Sequence, residues 1–217
     1  MAYDRRGRGA SGPGRVDDGI DLELADLEAV LRDTGATSVF GHSAGAVIAL
    51  EAALRMPVIQ RLALFEPPIG VELPLSWVPA FERALADDKI ALAMALLAGG
   101  MQMGPRHIPA WLFALPLRLL VRGEAKHQLG ALLRTWPRDL ATARSLPPGV
   151  ERYRKIACPT LLLGGGKSPA YLKLALDRIG AVIPHAERTE FPDAGHNAPD
   201  QDAPEAVAAR LAMMLAA

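Results

Sequence analysis

An α/β protein, with a doubly wound and mostly parallel sheet interrupted by a helical insertion, follows from three features of the sequence. Short runs that are apolar on both faces alternate with stretches of helical period. Helix stop and start signals, a glycine here and a cap-like residue there, punctuate the alternation. From about residue 69 to 155 the strand-like runs cease, and helical pieces rich in Leu, Met, Trp and Pro take over.

Taken in order, residues 21–34 place Leu24, Leu27 and Leu31 on one helical face and stop at Gly35, a residue suited to the left-handed end of a helix. TSVFG at 37–41 is the first strand, apolar on both faces as expected when helices cover a sheet on each side. Residues 44–56 form a helix ended by Pro57, and RLALF at 61–65 is the second strand. The insertion at about 69–155 follows as a helical cap within a single domain, 1–217, since no repeat or low-complexity linker sets it apart. TLLLG at 160–164 is the third strand. Ser168 before Pro169 reads as an N-cap with proline at N1, opening a helix that carries Tyr171, Leu172, Leu176 and Ile179 to Gly180. ERTEF at 187–191 is a fourth strand, and Asp202 with Glu205 resembles a capping box for a last helix near 203–216.

At 217 residues, 50% of them hydrophobic, the chain can bury one sizeable core. Its formal net charge is zero, so no global field favours nucleic acid or an anionic membrane, and a small neutral ligand fits better. The single cysteine, Cys158, rules out an internal disulfide and suits a cytoplasmic setting. MAYDRRGRG lacks the apolar stretch of a signal peptide or anchor, and the longest apolar runs fall short of the roughly 20 residues that span a bilayer.

The chemistry-bearing motif is GHSAG at 41–45, a Gly-x-Ser-x-Gly pentapeptide between a strand run and a helix run. A serine hydroxyl is a weak nucleophile; it needs a histidine base, a carboxylate to orient that base, and donors for the oxyanion. A strand-turn-helix elbow lifts the Ser43 hydroxyl off the sheet, with Gly41 and Gly45 expected to remove colliding side chains and the Ala44 N–H placed as an oxyanion donor. His196, in the turn-rich FPDAGHNAPD after the last strand, is the candidate base. His42 is expected to pack or hydrogen-bond locally in the elbow, and His107, His127 and His185 to lie at the surface or in the cap. No pair of histidines has metal-ligand spacing, and no metal or cofactor is expected.

These stretches resemble the α/β-hydrolase family: YDRRGRGAS its loop after the fourth strand, GHSAG its nucleophile elbow, and GHN its histidine loop. The resemblance runs from Tyr3 over nearly the whole chain. It implies a serine-dependent carboxylic ester hydrolase, with catalytic Ser43, His196 and an acid, Ala44 in the oxyanion hole, and a helical lid at about 69–155. The family often carries its acid just past the strand seen here as PTLLLGGGKSP, where this chain has Ser168. Some members place it after the strand that follows the elbow helix, where Glu66 stands; Asp193, Asp200 and Asp177 are the other candidates. The chain begins at or within the family's fourth strand. That implies an N-terminally shortened hydrolase whose second oxyanion donor is unassigned, and whose exposed sheet edge could pair two subunits.

Two patterns are decoys. GRGASG at 7–12 matches a dinucleotide fingerprint, but GPGRVDDG follows where a helix should open. GGGKS at 164–168 ends like a phosphate loop, but the glycine required five residues before Gly166 is Leu161. Arg5, Arg6 and Arg8 suit a solvated loop or an anionic substrate. Trp77, Met94, Met101, Met103, Trp111 and Phe113 suit an acyl pocket or cap core. The substrate expected is a small apolar ester. A degraded hydrolase acting as a binding module, and a lyase or perhydrolase on the same three residues, are the rival readings.

Overall fold

The computed structural model describes residues 1–14, 18–73, 75–105 and 107–216. It divides into two compact units, Gly19–Glu72 with Thr142–Ala217, and Met1–Asp18 with Leu73–Ala141.

The first unit holds the sheet. Strands β1 (Ser38–His42), β2 (Arg61–Phe65), β3 (Thr160–Gly165) and β4 (Ala186–Phe191) pair in that order, all parallel. All six residues of β3 are buried, as a central strand demands, whereas AERTEF of β4 exposes its charged residues Glu187, Arg188 and Glu190. Helix α1 (Ile20–Thr34) buries Ile20, Leu24, Leu27 and Leu31 and ends at Gly35 with φ 67°, the left-handed conformation that glycine adopts cheaply. Helix α2 (Ala44–Arg55) buries an unbroken run from Ala46 to Ala52. On one face of the sheet Ala63, Phe65, Leu161 and Leu163 form a core with Ala194, Ala198 and Val207.

Two expected caps take another form. Helix α7 runs over Ala170–Val182, past Gly180, with Pro169 at the N-cap, and the buried Ser168 hydroxyl has no hydrogen-bond partner. Proline's fixed φ here serves the extended cap residue (φ −53°, ψ 142°) rather than the first helical turn. Before α8 (Pro204–Ala216), the Asp202 carboxylate accepts from the Gly195 N–H at 2.8 Å, so it braces the preceding loop.

Glu51 of α2 is buried and shared. Its Oε1 accepts from Arg152 Nε and Nη2, at 3.1 and 2.8 Å, and from the Tyr153 hydroxyl at 2.6 Å. That ties α2 to the 3₁₀ turn Glu151–Lys155. Burial, then the bond to Glu51, pushes the Tyr153 phenol up, so the hydroxyl stays a donor.

The second unit is helical: α3 (Val78–Ala86), α4 (Ile90–Gly100), α5 (Ala110–Leu120) and the greater part of α6 (Gly123–Ser145). Its core gathers Phe81, Ala84, Leu85, Ile90, Ala93 and Leu133, with Trp77, Phe81 and Trp136 in mutual ring contact at centroid distances of 4.9–5.6 Å. The N-terminal segment packs on α6 by charge. Arg5 and Arg8 each donate to a different oxygen of Asp139, at 2.8 and 2.6 Å, and Arg138 donates to the Arg6 carbonyl at 2.5 Å. Arg5 is therefore buried, not part of a solvated loop. The GRGASG stretch closes on itself, with the Gly7 N–H on the Gly12 carbonyl and the Ala10 N–H on Asp4. The N–H groups of Gly7, Arg8, Ala10 and Ser11 thus bond within residues 4–12; of the GPGRVDDG that follows, residues 15–17 lie outside the described residues.

Among the described residues no helix is long and apolar enough to cross a membrane, and no cluster of His, Cys, Asp or Glu could hold a metal ion.

Candidate active site

β1 and α2 meet with no loop between them, and Ser43 alone makes the turn. Its φ of 54° and ψ of −120° are costly for a residue with a side chain. Gly41 permits the fold-back: a Cβ there would lie 2.4 Å from the Gly45 carbonyl oxygen and 2.6 Å from the Ala46 Cα. Gly45 is different from expectation. A Cβ built on it meets nothing within 4 Å, because the helix carries that position away from β1. The Ser43 N–H donates to the Phe65 carbonyl at 2.9 Å and extends the β1–β2 ladder by one bond. Ala44 opens α2, so its N–H has no acceptor within the helix and lies at the positive end of the helix dipole.

Since His42 is in register with Phe65, the residues that follow, Ser43 and Glu66, occupy the carboxyl ends of neighbouring strands. Glu66 also has a positive φ, 46°. Its side chain is wholly buried, and each oxygen has a partner: the Gly165 N–H donates to Oε1 at 2.7 Å, and His196 Nδ1 lies 2.6 Å from Oε2.

His196 comes from the loop after edge strand β4 and must cross the end of β3 to reach Glu66. The glycine run makes the crossing possible. A Cβ on Gly165 would stand 2.5 Å from the Ala194 carbonyl oxygen, and one on Gly166 2.4 Å from that of Pro192. The loop is pinned where it crosses: the Gly166 N–H donates to the Phe191 carbonyl at 2.8 Å, and the Lys167 N–H to that of Ala194 at 2.9 Å. GGGKS thus has a structural use that its likeness to a phosphate loop concealed.

Of the four carboxylates weighed from the sequence, the structure sets Glu66 against His196. Asp193 is fully exposed and 3.9 Å from Lys167 Nζ, Asp177 pairs with Arg188, and Asp200 lies 3.7 Å from His42 Nδ1. His42 packs beside the elbow on Phe65 but hydrogen-bonds far along the chain: its Nε2 is 2.9 Å from the His196 carbonyl oxygen. His107, His127 and His185 are exposed. Tyr171 stands in the first turn of α7; burial, then the Glu66 charge, raises its phenol above the ordinary range and keeps it protonated. Of the residues considered for an acyl pocket, Trp77 and Met94 pack against the helical core and Met101 is buried, while Met103 and Trp111 are exposed.

Chemically this is a carboxylate–imidazole pair at the same sheet end as a serine held in a strained elbow. An Nδ1 committed to Glu66 leaves Nε2 as the nitrogen free to move a proton.

Comparison with known proteins gives the family and the fold. The family model described as the alpha/beta hydrolase family matches residues 1–210. Among solved structures, the chain is similar to an alpha/beta hydrolase from Sphaerobacter thermophilus DSM 20745, with 28% identity and a TM-score of 0.76 over 98% of this chain and 80% of that one. It is also similar to a hydrolase from Pseudomonas aeruginosa PA01 (20% identity, TM-score 0.72, 99% and 78% covered). A third is the enol-lactonase from Burkholderia xenovorans LB400 (22% identity, TM-score 0.69, 99% and 80% covered). No curated protein matches.

Proposed function

The chain belongs to the alpha/beta hydrolase family, and from that premise we propose that it cleaves small carboxylic esters through an acyl-enzyme on Ser43. The observation that carries the reading is the 2.6 Å contact between His196 Nδ1 and the buried Glu66 carboxylate, at the strand end next to Ser43.

In this mechanism His196 Nε2 takes the hydroxyl proton as Ser43 Oγ attacks the ester carbonyl carbon. The carbonyl electron pair moves to oxygen, and the Ala44 N–H donates to that oxyanion. Collapse of the tetrahedral adduct breaks the bond to the alcohol, which leaves with the proton from His196. Water then repeats the sequence on the acyl-enzyme: His196 takes its proton, hydroxide adds, and Ser43 departs protonated, releasing the acid. With one Glu66 oxygen held by the Gly165 N–H, its other oxygen fixes the imidazole tautomer and balances the charge that His196 gains. The name of the Burkholderia protein, a lactonase, describes cleavage of a cyclic ester and is in keeping with an ester substrate.

The test is a fluorophosphonate probe with peptide mapping, beside hydrolysis of p-nitrophenyl butyrate. An adduct on Ser43 is expected, with hydrolysis abolished in Ser43→Ala and lowered by about 10²- to 10⁴-fold in Glu66→Gln. Wild-type turnover in pure Ser43→Ala protein would overturn the reading.

A further inference from the structure

The reaction above employs both ring nitrogens of His196, yet assigns nothing to the second imidazole beside it. His42 ends β1, so its backbone is fixed by the pairing of His42 with Phe65, and its ring stands edge-on to the Phe65 ring at 5.5 Å and 87°. Its Nε2 lies 2.9 Å from the His196 carbonyl oxygen. A carbonyl only accepts, so Nε2 carries a proton and donates it. The two rings are 4.8 Å apart, centroid to centroid. The loop bearing His196 is thus held at two points, its side chain by Glu66 and its main chain by His42.

We propose that His42 is a positioning residue: its Nε2–H fixes the His196 backbone so that the His196 imidazole bridges Glu66 and Ser43. The inference rests on the acyl-transfer reading for what His196 does, and on geometry alone for how it is held.

The charged or titratable groups facing His42 are His196, Asp200 and Glu66. Burial, then repulsion from His196, lowers the His42 pKa to about 4 against the weaker pull of Asp200 and Glu66. His42 is therefore a neutral donor at pH 7. When His196 takes a proton, it meets an uncharged ring rather than a second cation.

Two substitutions separate positioning from packing. His42→Phe keeps a ring but loses the donor; His42→Gln loses the ring but keeps an N–H of similar reach. The expected result is that His42→Phe lowers kcat on p-nitrophenyl butyrate about 10-fold with KM changed less than about twofold, and that His42→Gln recovers most of it. In parallel, the exchange-protected Nδ1–H signal of His196 should be present in wild type and His42→Gln and lost in His42→Phe. A packing role predicts the reverse order, and that order, or a Phe variant equal to wild type, overturns the proposal. Should neither variant fold, imidazole ¹⁵N spectra of the wild-type protein at pH 7 decide it: a neutral Nε2–H tautomer for His42 upholds the proposal, and any other form overturns it. If the spectra hold while wild-type protein cleaves no ester, acyl transfer falls and the positioning role stands. If ester is cleaved and His42→Phe is silent, the opposite follows.

Discussion

His42 makes stability depend on pH, because folding buries its ring in the neutral form. Its pKa falls from the ordinary 6.5 to about 4. Between those values the unfolded chain binds more protons than the folded one, so stability rises with pH through the window and is lost as pH drops from about 6.5 towards 4. The loss attributable to this one group has an upper bound of roughly 3 kcal/mol. Urea unfolding at pH 7 and pH 4.5 checks it: wild type is expected to lose more stability than His42→Gln, and equal losses would contradict the assignment. The residues of the site differ in how far the sequence exposes them. Ser43 and His196 are carried by short motifs, GHSAG and GHN. Glu66 is legible as the preferred one of four carboxylates only through the family resemblance, since the choice depends on which strand end lies under the histidine loop. The His42 contact spans 154 residues, and no local pattern announces it.

At the scale of elements, β2 and β3 follow from burial pattern, because a strand covered on both faces must be apolar throughout, whereas the charged edge strand β4 carries no such signal. Glycine roles are harder to read. A glycine states that a side chain is absent, not which backbone fills the space. Hence Gly41 is required by the approach of α2 and Gly45 is not, although the pentapeptide treats them alike. Gly41→Ala is expected to cost about 1–3 kcal/mol or more through overpacking against Gly45 and Ala46. Gly45→Ala should be neutral or stabilising by up to about 1 kcal/mol, by reducing the freedom of the unfolded chain. Chemical denaturation of the pair measures this, and equal destabilisation would refute the distinction. Gly165 and Gly166 are obscured in the same way: their clash partners, Ala194, Gly195 and Pro192, lie 26 or more residues further along.

At the scale of the molecule, each compact unit carries its own core, one around the buried strands and one around Phe81, Trp77 and Trp136. The helical unit comprises Leu73–Ala141 together with Met1–Asp18. Charge pairing explains that membership: Asp139 accepts from Arg5 and Arg8 across more than 130 positions, a partnership that composition and periodicity do not encode. Ser43, Glu66 and His196 all belong to the sheet unit, so the candidate chemistry is framed by one core. The most direct test of the account is the acyl-enzyme itself. Protein mixed with p-nitrophenyl butyrate, acid-quenched within the first turnovers and mapped by peptide mass spectrometry, should carry a butyryl group on the peptide containing Ser43. Turnover with that peptide never acylated, or with the group on another residue, would contradict it.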